Sequence, residues 1–142
     1  MKFLTTVVFV CLAFALVPTT ASAQSKGPNP EVSQSARDTA VVDKLKAEDG
    51  TVAVYAKGLC CSSCAIGIRK KVHSLAFIDQ ARFTDGVDLD AKTQLVTIAL
   101  KKGSKLDAKA LAKAIEDAGY EPVHLYTLES NKLVTQTLTA TN

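Results

Sequence analysis

Apolar positions recur with two different periods along this 142-residue chain, and the switches between periods outline its elements. After Thr51, Val52, Val54 and Ala56 alternate with Ala53, Tyr55 and Lys57, which predicts a half-buried strand. Ala65, Ile68, Val72 and Leu75 then recur at helical spacing, with Arg69, Lys70 and Lys71 on the wet side. Gln80 to Leu89 predicts a second strand region with Val87 and Leu89 inward, and Asp85-Gly86 inside it suggests a bulge. Asp90-Ala91-Lys92 turns the chain into a third strand, where Val96, Ile98 and Leu100 share a face. A second helix opens at Leu106-Asp107, with Leu111, Ile115 and Ala118 inward and Gly119 as its stop. Pro122 to Thr127 is the last strand, with Val123 and Leu125 expected on one face.

The order strand, helix, strand, strand, helix, strand predicts an α+β fold, the ferredoxin-like βαββαβ sandwich. It has a four-stranded antiparallel sheet with both helices on one face. Residues 51–127 form this domain. Ahead of it, 24–50 read as a linker that is polar at first, with Pro28 and Pro30. Ser35-Ala36-Arg37-Asp38 then resembles a capping box, and Val41, Val42 and Leu45 would face one side of a short helix ending before Gly50. That helix either docks on the domain or merely leads into it. Residues 128–142 form a polar, Thr-rich tail in which Leu133-Val134 either adds an edge strand or frays.

Residues 1–23 have a different origin. A positive Met1-Lys2, an apolar run from Phe3 to Val17 and Ala21-Ser22-Ala23 make a secretory signal peptide cleaved after Ala23. The run is short for a membrane span, which needs roughly 20 residues. An exported protein is therefore expected, periplasmic or secreted. Its mature chain keeps three of the four cysteines, Cys60, Cys61 and Cys64, all in one place. Stabilising disulfides join distant segments, which three clustered thiols cannot do, and an odd number cannot all pair internally. Without Lys2 the formal charge falls from +3 to +2, and no basic stripe is interleaved with aromatics, so nucleic acid is not a partner.

The chemistry therefore gathers at Gly58-Leu59-Cys60-Cys61-Ser62-Ser63-Cys64, between the first strand and the first helix. The unpaired N–H groups of a first helical turn and the positive end of its dipole favour thiolate, the form that binds metal or attacks a disulfide. Thiolates select soft ions such as Cu(I). Two of them offer near-linear coordination, which suits Cu(I) and Hg(II). Zinc takes about four ligands, and no His or Cys pair nearby completes a tetrahedron. His73 lies too far along the first helix to reach the thiols, and His124 is on the last strand; both are expected to face solvent. Asp85, Asp88 and Asp90 read as a solvated turn. No Ser-His-Asp arrangement, P-loop or dinucleotide turn is present, so the chain is not expected to be an enzyme.

The stretch from Thr51 to Tyr126 resembles the heavy-metal-associated domain family, and the signal peptide makes exported periplasmic mercury- and copper-binding proteins the nearest comparison. The family carries G-M-T-C-x-x-C after the first strand and A-G-Y or a similar triplet before the last; Gly58 to Cys64 and Ala118-Gly119-Tyr120 correspond here. The resemblance implies that Cys61 and Cys64 are the metal ligands, with Leu59 and Tyr120 packing around them. A Cu(I) or Hg(II) cargo is therefore expected, passed by thiol ligand exchange to a thiol-bearing donor or acceptor such as a membrane transporter, with a monomeric apo form. Leu59 stands where the family has Met, Cys60 where it has Thr, and the stretch from Phe77 to Val87 is longer. Cys60 has two readings, a small residue buried inward or a third thiolate ligand. Two rival functions also stay open, a thiol–disulfide redox protein and an interaction module with an oxidised, idle pair.

Overall fold

The computed structural model describes residues 31–61, 63 and 65–138. The expected signal peptide, residues 24–30 of the expected linker, Cys64 and the last four residues lie outside them. The order of elements is α1 (Gln34–Ala47), β1 (Thr51–Lys57), α2 (Ala65–Val72), β2 (Val87–Asp90), β3 (Leu95–Ala99), α3 (Ala108–Glu116), β4 (Glu121–Glu129) and β5 (Lys132–Thr137). The sheet is antiparallel throughout, in the order β2-β3-β1-β4-β5. An α+β chain with three helices and five strands results, so the expected four strands and two helices are one short of each.

The larger core lies between the sheet and the α2–α3 pair. Val52, Val54 and Ala56 of β1, Val96 and Ile98 of β3 and Leu125 of β4 meet Ile68 and Val72 of α2 and Leu111 and Ile115 of α3. Those helices carry the apolar faces that periodicity predicts. Asp107 caps α3 by accepting from the N–H groups of Lys109 and Ala110 at 3.1 and 3.0 Å. At the other end Gly119, with φ +91°, takes the left-handed conformation that stops the helix.

The opposite face is covered too. There α1 sets Val41 and Leu45 against Ala53, Tyr55, Leu95 and Tyr126. Every residue of β1 but Lys57 is therefore buried, and the half-buried strand expected from alternation is a central strand covered on both faces. The helix docks instead of merely leading into the domain. Its cap is Ser33, whose Oγ accepts from Ala36 N–H at 3.3 Å, two residues before the expected capping box. Arg37, one turn in, is 2% exposed. It stacks 3.6 Å from the Tyr55 ring centroid and donates to the carbonyls of Thr93 (Nε, 3.2 Å) and Val32 (Nη2, 3.1 Å). Gln34 Nε2 adds a 3.0 Å bond to the Tyr126 hydroxyl.

Two strands differ from expectation. The second begins at Val87 and not near Gln80, because Phe83, Asp85 and Gly86 all have positive φ and the chain there is a series of turns. A Cβ on Gly86 would collide with Ile78 Cγ2 and lie 2.9 Å from the Asp79 carbonyl oxygen, so only glycine packs there. In β4 the register shifts opposite Tyr55/Ala56, and the additional residue is Val123. Leu125 faces the larger core while Val123 packs on the α1 side, so the two do not share a face. Leu133 and Val134 lie in β5, which pairs with β4 as an edge strand.

Candidate functional site

Sheet order brings three connections together at one end of the molecule. The cysteine loop follows Lys57, whose register partner is Glu121 just after the α3–β4 turn. Tyr55 pairs with Leu95 just after the β2–β3 turn. The loop leaves β1 through Gly58, whose φ of +92° turns the chain, and Leu59 then plunges into the larger core at 0% exposure. Its N–H bonds back to the Ala56 carbonyl at 3.3 Å. Leu59 is thus the loop's anchor in the core.

Beyond this anchor the cysteines emerge. Cys60 is exposed, which overturns the reading of it as a buried small residue. Cys61 is half-buried and disulfide-bonded, and its Sγ lies 3.4 Å from the Ser63 hydroxyl. Ile66 N–H bonds to the Ser63 carbonyl at 3.3 Å as α2 begins. Cys64, the other expected ligand, is outside the described residues. Among the described residues no group of three or more His, Cys, Asp or Glu side chains is arranged to hold a metal ion.

Tyr120 closes the opposite side of the loop. It is half-buried against the larger core, and its Cδ1 lies 3.8 Å from where a Gly58 Cβ would be. Burial raises its phenol pKa, and negative charge on Cys60 adds to that. The tyrosine of Ala118-Gly119-Tyr120 therefore stands beside Gly58, where the cysteine loop leaves β1.

No known family's sequence profile matches the chain, and no curated protein does. Among solved structures the chain is similar to one of oxidized MerP. That crystal structure is from Ralstonia metallidurans CH34; identity is 26%, over 51% of this chain and 90% of that one, with a TM-score of 0.41.

The histidines stand apart from the thiols. His73 follows the last residue of α2, half-buried, with Nδ1 3.1 Å from the Arg69 carbonyl oxygen. His124 is half-buried, less open than the solvent-facing position expected. It lies between the Tyr55 and Tyr126 rings, at centroid distances of 6.3 and 6.1 Å, and its Nδ1 is buried without a hydrogen-bond partner among the described residues.

One feature of the site was hidden in the sequence. Cys60 and Cys61 line an open groove of about 740 Å³ with Lys44 and the run Asp88 to Lys92. Lys44 Nζ binds Asp88 Oδ2 at 3.1 Å. Asp90 Oδ1 accepts from the N–H groups of Lys92 and Thr93 at 3.0 and 3.4 Å, holding the β2–β3 turn. Of the three acidic residues expected in a solvated turn, Asp88 and Asp90 are instead strand residues of β2, and they form part of the groove wall beside the thiols. Its only sequence signal was the D-x-D alternation of Asp88 and Asp90; nothing local tied Lys44 to it. No helix among the described residues is long and apolar enough to cross a membrane.

Proposed function

We propose that this protein is an exported binding protein and chaperone for a soft metal ion, Cu(I) or Hg(II). The ion is the cargo, held between the thiolates of Cys61 and Cys64 and passed on by ligand exchange. What supports this reading is the setting of Cys61. It sits half-buried at a strand-to-helix turn, on a loop anchored by buried Leu59 and flanked by Tyr120. The start of α2 favours thiolate there, and soft donors in a two-thiolate arrangement select soft ions. Cys61 must first be released from its disulfide by two electrons and two protons, so loading requires a reducing partner. Cys60, exposed beside Cys61, is a reserve thiol that engages during exchange; the resting site has two sulfurs. The role is binding and transfer in the periplasm or outside the cell, not catalysis, and the apo form is a monomer.

A two-coordinate ion has open positions, so an incoming thiolate binds before the first one leaves. The acceptor or donor must then carry its own thiols, as a membrane transporter or a second domain of this kind would. Stopped-flow transfer from Cu(I)-loaded protein to a dithiol acceptor tests the mechanism. The rate should rise with acceptor concentration; a rate equal to spontaneous release at every concentration would sink it.

The disulfide at Cys61 favours a second reading, a thiol–disulfide redox protein. Catalytic reduction of a protein disulfide by the reduced chain, with no preference for soft metal, would select it.

A further inference from the structure

We infer that the outer edge of β2 receives a short extended peptide carrying a cysteine, added to the sheet as a further strand that leads its thiol into the groove beside Cys60 and Cys61. This deepens the ligand-exchange reading, on which it rests, by naming the form in which the partner's thiol arrives.

In an antiparallel pair, alternate residues turn their N–H and C=O toward the neighbouring strand and away from it. Gly86 faces β3, since its carbonyl accepts from Ala99 N–H at 2.9 Å. By register Asp88, opposite Thr97, and Asp90, opposite Leu95, do the same. Val87 therefore faces outward, and its bonds agree: its N–H goes to Thr84 O at 3.1 Å and its carbonyl accepts from Arg69 Nε at 3.4 Å. The next outward residue is Leu89. Its N–H and C=O have no partner among the described residues, and β2 is the terminal strand of the sheet. The turns before Val87 and the Arg69 side chain close the edge on one side of Leu89, whereas toward Ala91 it stays open.

That open stretch lines the same groove as Cys60 and Cys61. An added strand bonded to Leu89 would run along Asp88 to Ala91. At about 3.3 Å per residue, four to six residues span roughly 13 to 20 Å, matching a short segment and not a whole sheet. Charge selects further. Asp88 is matched by Lys44, and Lys92 also lines the groove, but the Asp90 carboxylate is bonded only to backbone N–H groups of its own turn and forms no ion pair among the described residues. The segment should therefore carry Lys or Arg on the face of the sheet that Asp90 occupies. The bland reading is that charge and shortness merely protect an edge strand from self-association. Those same features admit a short basic segment while refusing a long apolar one.

The test uses metal-free protein, so its failure leaves the metal reading standing. The probe is an N-acetylated, C-amidated hexapeptide of alternating valine and lysine, which has no thiol. Titrated into ¹⁵N-labelled protein, it should shift the Leu89 and Ala91 amides and slow Leu89 exchange. It should bind about two- to five-fold tighter than the valine–glutamate counterpart. Asp90→Asn, which keeps the turn's acceptor oxygen, should abolish that preference. Methylating the peptide nitrogen that meets the Leu89 carbonyl should weaken binding about tenfold. Shifts confined to the opposite edge, Lys132–Thr137, indifference to methylation, or no shifts at all would overturn the inference.

Discussion

Cys60 and Cys61 are neighbours in sequence but not in circumstance. One is exposed; the other is half-buried and disulfide-bonded. The account makes them unequal in metal binding. Cys61→Ser should lower Cu(I) and Hg(II) affinity by orders of magnitude with the fold intact, since the loop is at the surface and no core cavity forms. Cys60→Ser should leave affinity nearly unchanged in a competition titration of the reduced protein. Equal losses for the two would show a three-sulfur site. A second residue makes a pH prediction. Burial pushes the Tyr55 phenol up to about 12, and its hydrogen bond to Glu31 Oε1 at 2.7 Å adds to this while Arg37 opposes it. An unfolded tyrosine loses its proton near 10.0. The stabilisation is thus complete below pH 10 and is lost as pH rises toward 12, because there the unfolded chain binds fewer protons than the folded one. Chemical denaturation at about pH 9 and about pH 11.5 should show a smaller alkaline loss in Tyr55→Phe than in the parent. An unchanged loss would contradict the assignment.

The elements differ in how far the sequence disclosed them. The α2 and α3 stripes, Ile68 with Val72 and Leu111 with Ile115, face the core as their spacing requires. Gly119 ends its helix for a reason visible in the residue itself. What stayed hidden depends on partners distant in the chain. Ala53 and Tyr55 are compatible with either a wet or a covered face, and only docking of α1 covers them. The start of β2 was obscured because Phe83 and Asp85 adopt positive φ without being glycine. Likewise, Asp88 and Asp90 became part of the thiol site through the β2–β3 turn, a matter of sheet order and not of local pattern. Arg37 is the strongest tie between α1 and the sheet. Removing its ring stacking and its bonds to the Thr93 and Val32 carbonyls should cost about 2–4 kcal/mol. Hydrogen exchange of Arg37→Ala should show α1 losing protection before β1. Simultaneous loss would mean that α1 and the sheet open as one unit.

For the molecule as a whole, the five-stranded sheet is a scaffold with one chemically distinct end. Three turns converge there, Leu59 pins the loop to the core, and Tyr120 and the Asp88–Lys92 run flank the thiols. On the proposed reading, a loop pinned at Leu59 and carrying soft donors at a surface suits capture and release better than permanent storage. The two histidines, one just past α2 and one on β4 between the Tyr55 and Tyr126 rings, stand apart from that end. If the proposed cargo is bound, its selectivity comes from sulfur. Native mass spectrometry of the reduced chain beginning at Gln24, titrated in parallel with Cu(I), Hg(II) and Zn(II), tests this most directly. The account predicts a single Cu(I) or Hg(II) per monomer, absent in the Cys61→Ser, Cys64→Ser double variant, with Zn(II) retained far more weakly. Zinc bound as tightly as the soft ions, or soft metal retained by the double variant, would contradict it.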